Sequence, residues 1–363
     1  MMPKATTGKP TIVDVAEKAG VSRATASRAL SNYGRINAAT QMHVRRIAEE
    51  LGYRPNEVAK AMRRGKTKTI GLVIVADFTN AFFDRATKGV VDAAKDLGYQ
   101  VLITNTNEDI AAERSAIVTL IEKQVDGLIV VPASVAVHDH LTPEHLDNKP
   151  IVLIDRRLDG VRVTSVTTED FQGAEEAVRH VLSLGHKRLG FLIAASGVSG
   201  FTEERPPLLL STVEDRINGF ANAAADGGIK PKMQTWIYCE DLPSASEAAV
   251  MRLLDQPKPP SVIFTSNNDM ALAVLRVAGK RQLVLGRDLS LVTIDDSQWL
   301  EAMSPGITVV ARPVEQLSRI AVEKLVADIE QPGQPAEKIA LPVELVARGS
   351  VANLVLRPEL WME

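Results

Sequence analysis

Gly20 to Leu30 (GVSRATASRAL) sets two arginines, two serines and a threonine at helical spacing. Guanidinium forks and hydroxyls in such a pattern suit phosphate oxygens and base edges. A second kind of chemistry sits at the ends of apolar runs. Asn80, Phe82 and Phe83 follow IGLVIV, and Asp155 with Arg156 closes PIVLID. Paired aromatics stack on the apolar face of a sugar ring, while carboxylate and guanidinium read its hydroxyls. Catalytic groupings are not found. No G-x-G-x-x-G follows a strand, and GVSG at 197–200 lacks the Gly-x-Ser-x-Gly of a nucleophile elbow. His138, Asp139, His140 and His145 fall in a polar, proline-bearing stretch, read as an exposed loop or helix face rather than a metal site. No catalytic residue, metal ligand or cofactor is assigned, so the chain is read as a binding protein and not an enzyme.

Bulk properties agree with that reading. The 363 residues, 45% hydrophobic and 24% charged, suit a globular protein of two or three domains. The single Cys239 excludes an internal disulfide and a cysteine-based zinc site. Apolar runs are too short to span a bilayer, and no charged-then-apolar leader opens the chain, so a cytoplasmic location away from membranes is expected. The net charge of −3 hides an asymmetry. Residues 1–68 hold 14 Lys and Arg against 5 Asp and Glu, and the remainder 28 against 40. A basic head on an acidic body points to nucleic acid at one end.

The head carries apolar periodicity, which a solubilising tail would lack. Thr11 with Asp14 three residues on forms a capping box before a first helix whose Ile12, Val15, Ala16 and Ala19 share a face, ending at Gly20. Ser22 caps a second helix to about Leu30, with Ala26, Ala29 and Leu30 inward and Arg23, Ala24, Thr25, Ser27 and Arg28 outward. A third helix starts near Asn37 or Thr40, closes at Leu51-Gly52 and buries Val44, Ile47 and Ala48. This is a helix-turn-helix pattern. From Ile70 the pattern becomes α/β. IGLVIV, YQVLITNT, DGLIVVP and PIVLID alternate with helices over 82–97 and 111–123. RLGFLIA, TWIYC, SVIFTS and LSLVTID alternate with helices near 212–226, 245–255 and 269–281. Two such series predict two doubly wound parallel-sheet lobes with a ligand at the strand ends.

The phrases TIVDVAEKAGVSRATASRAL, LGYRPNEVAKAM and GKTKTIGLV closely resemble the lactose-repressor and galactose-repressor (LacI/GalR) family of bacterial regulators, and the resemblance runs over nearly the whole chain. It implies a DNA-binding head over 1–54, a hinge helix and linker over 55–68, and an effector-binding, dimerising core of periplasmic-binding-protein type over 69–363. The first lobe would comprise about 69–167 plus 314–336, and the second about 168–311 plus 337–353. The resemblance places Ser22–Leu30 in the major groove of a near-palindromic operator, with Arg23 and Ala24 choosing bases and Thr25, Ser27 and Arg28 supplying shared contacts. Thr11, Asn32 and Tyr53 join the DNA set, as do Asn56, Ala59, Met62 and Arg63 of the hinge, where Met62 replaces the usual leucine wedge. In the cleft it adds Arg216, Asn267 and Asp295 to Asn80, Phe82, Phe83, Asp155 and Arg156. Two departures stand out: Ile294 where an aromatic is usual, and Arg312 in place of a glutamine. An extra buried arginine favours an anionic ligand or requires an acidic partner, so the implied effector is a sugar, sugar acid, sugar phosphate or polyol. The implied protein is a homodimeric transcription regulator, most simply a repressor, switched allosterically by that effector. The alternative, a sugar-binding component without gene regulation, leaves the basic head unexplained.

Overall fold

The computed structural model describes residues 10–31, 36–53, 66–75, 80–142 and 144–356. Its contacts divide the chain into two compact units, Met1–Lys68 and Thr69–Glu363.

In the first unit, α1 (Ile12–Lys18), α2 (Arg23–Ser31) and α3 (Ala38–Glu50) enclose a small core. Val15, Ala26, Ala29 and Val44 are fully buried in it, and Ile12, Leu30 and Tyr53 pack against its edge. Thr11 caps α1 reciprocally with Asp14: its amide donates to the carboxylate at 2.6 Å and its hydroxyl accepts from the Asp14 amide at 3.4 Å. Gly20 turns the chain at φ 65°, a conformation that favours glycine. Ser22 Oγ then accepts the Thr25 amide at 3.1 Å, satisfying a free donor at the start of α2.

The second unit is built on two sheets. The first contains β1 (Thr69–Ile74), β2 (Gln100–Asn105), β3 (Gly127–Val130), β4 (Ile151–Ile154), β5 (Thr164–Thr168) and β12 (Lys338–Leu341), in the order β12-β5-β4-β3-β1-β2 and all parallel. Helices α4 (Ala81–Asp96) and α11 (Val314–Glu330) cover one face, and α5 (Ile110–Glu122) with the β3–β4 connection covers the other. The second sheet contains β6 (Leu189–Ala194), β7 (Phe201–Thr202), β8 (Gln234–Cys239), β9 (Val262–Thr265), β10 (Ser290–Ile294), β11 (Thr308–Ala311) and β13 (Glu344–Val346), in the order β13-β11-β10-β9-β6-β8-β7. Only its outer strands β7 and β13 run antiparallel. Helices α6 (Asp170–Ser183) and α7 (Ser211–Asp226) cover one face; α8 (Pro243–Leu254), α9 (Asn268–Lys280) and α10 (Gln298–Ala302) cover the other. Gly219 lets α7 approach α6 closely, since a Cβ there would lie 2.2 Å from the Phe171 carbonyl oxygen.

The chain crosses between sheets three times: at Thr168–Asp170, at Ala311–Val314 and at Leu341–Glu344. The third crossing corrects the sequence expectation that 337–353 belongs to the second lobe. Lys338–Leu341 pairs in register with Ser165–Thr168 of the first sheet, so only the chain from Glu344 onward joins the second.

That final segment is fastened by a buried histidine. His186 is 1% exposed, and its ring nitrogens bond to Ser261 Oγ at 2.8 Å and the Ala352 carbonyl at 3.1 Å. Burial pushes its pKa down to about 4, opposed by the Ala352 carbonyl. A neutral histidine held below its unfolded value of 6.5 contributes stability that is intact above pH 6.5 and declines as pH falls toward 4. The loss is expected to reach about 3 kcal/mol. Urea unfolding across this range should give a flatter pH dependence for His186→Asn than for the wild type, even though the variant starts less stable at neutral pH.

Candidate functional site

Both sheets present the carboxyl ends of their strands to one cleft, and each offers a topological switch point there, between β1 and β3 and between β6 and β9. A cavity of about 1010 Å³ fills the cleft. All nine residues assigned to it from the sequence line it: Asn80, Phe82, Phe83, Asp155, Arg156, Arg216, Asn267, Asp295 and Arg312.

Arg312 lies on the second crossing and is 5% exposed. Its Nε and Nη2 donate to the two carboxylate oxygens of Asp295 at 2.6 and 2.9 Å, and Nη1 donates to Asp155 at 2.7 Å. Its guanidinium also lies 3.8 Å from the centre of the Phe82 ring. Burial opposes the cation, but Asp295, Asp155 and Asp170 together raise its pKa above the ordinary arginine value. The acidic partner that the sequence required is therefore present, twice, and the charge-based reason for an anionic ligand falls away. Asp155 and Asp295 sit at the ends of β4 and β10 with φ of 65° and 70°, left-handed conformations costing about 1–3 kcal/mol each. Their backbone amides are held by Val166 and Val310 at 3.0 Å, so the sheets impose the turn that aims both carboxylates inward.

The other arginines are likewise matched. Arg216 donates through Nε to Asp170 at 2.6 Å and through Nη1 to the Ser266 carbonyl at 2.7 Å, and its Nη2 has no hydrogen bond among the described residues. Burial raises the Asp170 pKa, but Arg216, Arg312 and a hydrogen bond from Thr168 outweigh it and hold the carboxyl below its usual range. Arg156 donates to Glu108 at 2.5 Å and to the Pro132 carbonyl at 2.9 Å, while its Nε is buried without a hydrogen bond. Burial raises Glu108 too, yet Arg156 and the Ser196 hydroxyl bring it below normal. Ser196 belongs to the opposite lobe, so Glu108 bridges the cleft.

Other expected readers are occupied. Asn80 caps α4 through its carbonyl oxygen and donates across the cleft to Asp269 at 3.3 Å. Asn267 caps α9 and donates to Asp241 at 2.8 Å. Phe82 and Phe83 are 3% and 8% exposed and meet edge to face at 5.0 Å. The Arg312 guanidinium occupies a face of the Phe82 ring. Ile294 is buried in the sheet, as an aliphatic residue should be, and Trp299 lines the cavity from α10 instead. Sequence reading missed Glu108, Asp170, Ser196 and Trp299. Only Glu108 left a trace, in a polar NTNED turn after β2. The 196–210 loop borders the cavity through Ser196, Gly197, Val198 and Leu210, and its Arg205 pairs with Glu214 at 3.1 Å. The histidine cluster disperses and is not wholly exposed, contrary to the sequence reading. His140 is 5% exposed and bonded to buried Glu113 at 2.6 Å, Asp139 faces Arg114, and His145 faces Thr142.

In the head, Ser22, Arg23, Ala24 and Arg28 are exposed on one side of α2, with Thr25 and Ser27 half-buried beside them. Arg23 makes no hydrogen bond or ion pair with any described residue. Thr11 is exposed and committed to its cap, and Tyr53 is half-buried against the core. Asn32, Asn56, Ala59, Met62 and Arg63, and with them the hinge helix, lie outside the described residues.

Comparison with known proteins decides the family. Residues 11–56 match the model for bacterial regulatory proteins of the lacI family, and residues 178–351 match a periplasmic binding protein-like domain. The chain is 30% identical to the HTH-type transcriptional regulator DegA of Bacillus subtilis over 349 residues, 95% of this chain and 99% of that protein. It belongs to the LacI family of transcriptional regulators. A crystal structure of the lac repressor dimer bound to operator and the anti-inducer ONPF shares the fold, with a TM-score of 0.80 at 23% identity, covering 95% of this chain and all of that one. A LacI family regulator from Enterococcus faecium with bound ribose aligns at a TM-score of 0.68 and 25% identity, covering 79% of this chain and 99% of that one. As a LacI-family regulator, the protein binds DNA sequence-specifically through its helix-turn-helix head. None of the helices described is long and apolar enough to cross a membrane.

Arg216→Met should strand the Asp170 carboxylate at the first crossing between the sheets and destabilise the body by about 3–5 kcal/mol. Arg216→Lys should restore little, because one ammonium cannot hold Asp170 and the Ser266 carbonyl in the geometry of the fork. Chemical denaturation of both variants above pH 6, where the wild-type pair is fully formed, checks this. Equal stability of Arg216→Met and wild type would show that the pair contributes nothing net.

Proposed function

We propose that this regulator works in the cytoplasm as a homodimer without catalysis, and that its operator affinity is set by a neutral polyhydroxyl effector in the interlobe cleft. The observation that carries the effector class is charge. Six carboxylates and four guanidiniums line the cavity. Arg156, Arg216 and Arg312 are already engaged by Glu108, Asp170, Asp155 and Asp295. An anion entering such a site meets an excess of like charge and finds no uncommitted cation among these three. A neutral sugar or polyol meets a suitable donor in Arg216 Nη2, which can hydrogen-bond a hydroxyl oxygen. Trp299 and Phe83 supply apolar surface for ring carbons. The related regulator that holds ribose supports the same class.

DNA reading is assigned to the exposed side of α2. Arg23, exposed and unpaired, can fork onto guanine O6 and N7, and Ala24 can touch only a thymine methyl. Thr25, Ser27 and Arg28 then hold phosphates and position the helix. Dimerisation is supported by an apolar edge on the first lobe, where Leu102 and Ile103 of β2 are 39% and 40% exposed and Val118 of α5 is 55% exposed. An unpaired strand edge of this kind normally needs a cover.

Selection of bound sequences from a random duplex library tests the DNA assignment. The full-length protein should recover a near-palindrome, and Arg23→Ala should lose discrimination at one base pair per half-site, by ~1–3 kcal/mol. A loss equal on all sequences would make Arg23 a phosphate contact and overturn its role in base choice.

A further inference from the structure

Arg312 is the only residue described that joins inward carboxylates of both lobes through one group, and it does so from the crossing between them. Asp155 closes a strand of the first sheet and Asp295 a strand of the second. The same guanidinium takes one oxygen of the former and both oxygens of the latter, with Phe82 of the first lobe beneath it. We propose that Arg312 is a positioning residue that acts as the chain's own cross-lobe ligand, tethering Asp155 to Asp295 and withdrawing both from effector reading.

Three observations carry this. The contact is buried, with side-chain exposures of 3% for Arg312 and 6% for each aspartate, so water does not screen it as it screens the rim contacts. Those rim contacts, Arg157 with Asp215 and Asn80 with Asp269, are part-exposed. The geometry uses the fork fully: Nε, Nη1 and Nη2 each reach a carboxylate oxygen, an arrangement that neither glutamine nor lysine reproduces. The charge balance also depends on it. Without the cation, Asp155 and Asp295 confront each other from opposite lobes with Asp170 close by, and their repulsion favours opening. Lobe closure, which in a two-lobed binder is ordinarily stabilised by the ligand bridging the lobes, here draws on a bridge fixed in the sequence. The inference does not depend on the class of the effector, because the tether forms between protein groups alone.

Interlobe distance in the full-length protein without added sugar is the direct readout. Spin labels at Ala111→Cys, two residues into α5, and Ser244→Cys, at the start of α8, sit on exposed positions beside cleft-lining residues of opposite lobes. Native Cys239 is buried, and its thiol pKa is pushed up to about 12, so it will not take label. With labelled protein diluted into excess unlabelled protein, so that each labelled protomer pairs with an unlabelled one, double electron–electron resonance should give one narrow, short distance within the wild-type protomer. In Arg312→Gln the ratio of long to short distances should rise at least tenfold. Asp155→Ala should raise it in the same direction. The double variant Arg312→Gln with Asp155→Ala should open no further than Arg312→Gln alone, since both remove one bridge. If Arg312→Gln fails to fold by circular dichroism, Asp155→Ala, which keeps the Asp295 pair intact, decides the question. An unchanged distance distribution in a folded Arg312→Gln, or in Asp155→Ala, would overturn the tether.

Discussion

A guanidinium shared between two lobes organises this molecule. Desolvating one cation and two anions costs several kcal/mol per ion unless their geometry is close to ideal. The fold supplies that geometry by holding Asp155 and Asp295 in left-handed turns at the ends of β4 and β10. Strain at strand ends, a buried triad and a crossing segment occupy one small volume. Thr168, Asp170 and Arg216 extend the network to the first crossing. The segments about which the lobes would rotate are thus the segments where charge is most concentrated. Any shift in lobe angle must rearrange these ions.

The same network sets what the cleft can recognise. Nine residues assigned from sequence all reach the cavity, but several arrive already committed. Asn80 and Asn267 cap helices and donate to Asp269 across the cleft and to Asp241 within the second lobe, and the Arg312 fork is taken by two aspartates. In the proposed reading, recognition falls to Arg216 Nη2 and to the apolar surfaces of Phe83 and Trp299. A cavity rich in carboxylates with matched arginines is the basis of the proposed preference for neutral hydroxyls over added negative charge.

Much of the fold was legible because its signals are local. Capping at Thr11 and Ser22, the glycine turn at Gly20 and the helical spacing of Ile12, Val15, Ala16 and Ala19 each follow from a few neighbouring residues. Strands such as Ile151–Ile154, fully buried, read as continuous apolar runs. What escaped was non-local or weakly patterned. Strand β5 (TSVTT) is too polar to stand out, and α6 (DFQGAEEAVRHVLS) begins directly at a crossing with no side-chain cap. Strand β12 looks equally suited to either sheet, and only its pairing with β5 decides. In the site, Arg312 was visible as a charge, but its partners lie 17 and 157 residues away. Glu108 and Asp170 have no spacing signal, since only the folded chain brings them to their arginines.

A basic reading head joined in one chain to a polar, two-lobed cleft makes sense if each site senses the other. Such coupling is reciprocal: an effector that changes operator affinity by some factor must have its own affinity changed by the same factor. The decisive measurement is a linkage experiment on the full-length protein with its selected operator. Operator affinity would be titrated with neutral sugars and polyols, sugar acids and sugar phosphates, and the affinity of any responsive compound remeasured on the operator complex. A neutral polyhydroxyl compound is expected to shift operator binding by about 5–150-fold, with the matching shift in its own binding. A response confined to anionic sugars, or effector binding that leaves operator affinity unchanged, would contradict it.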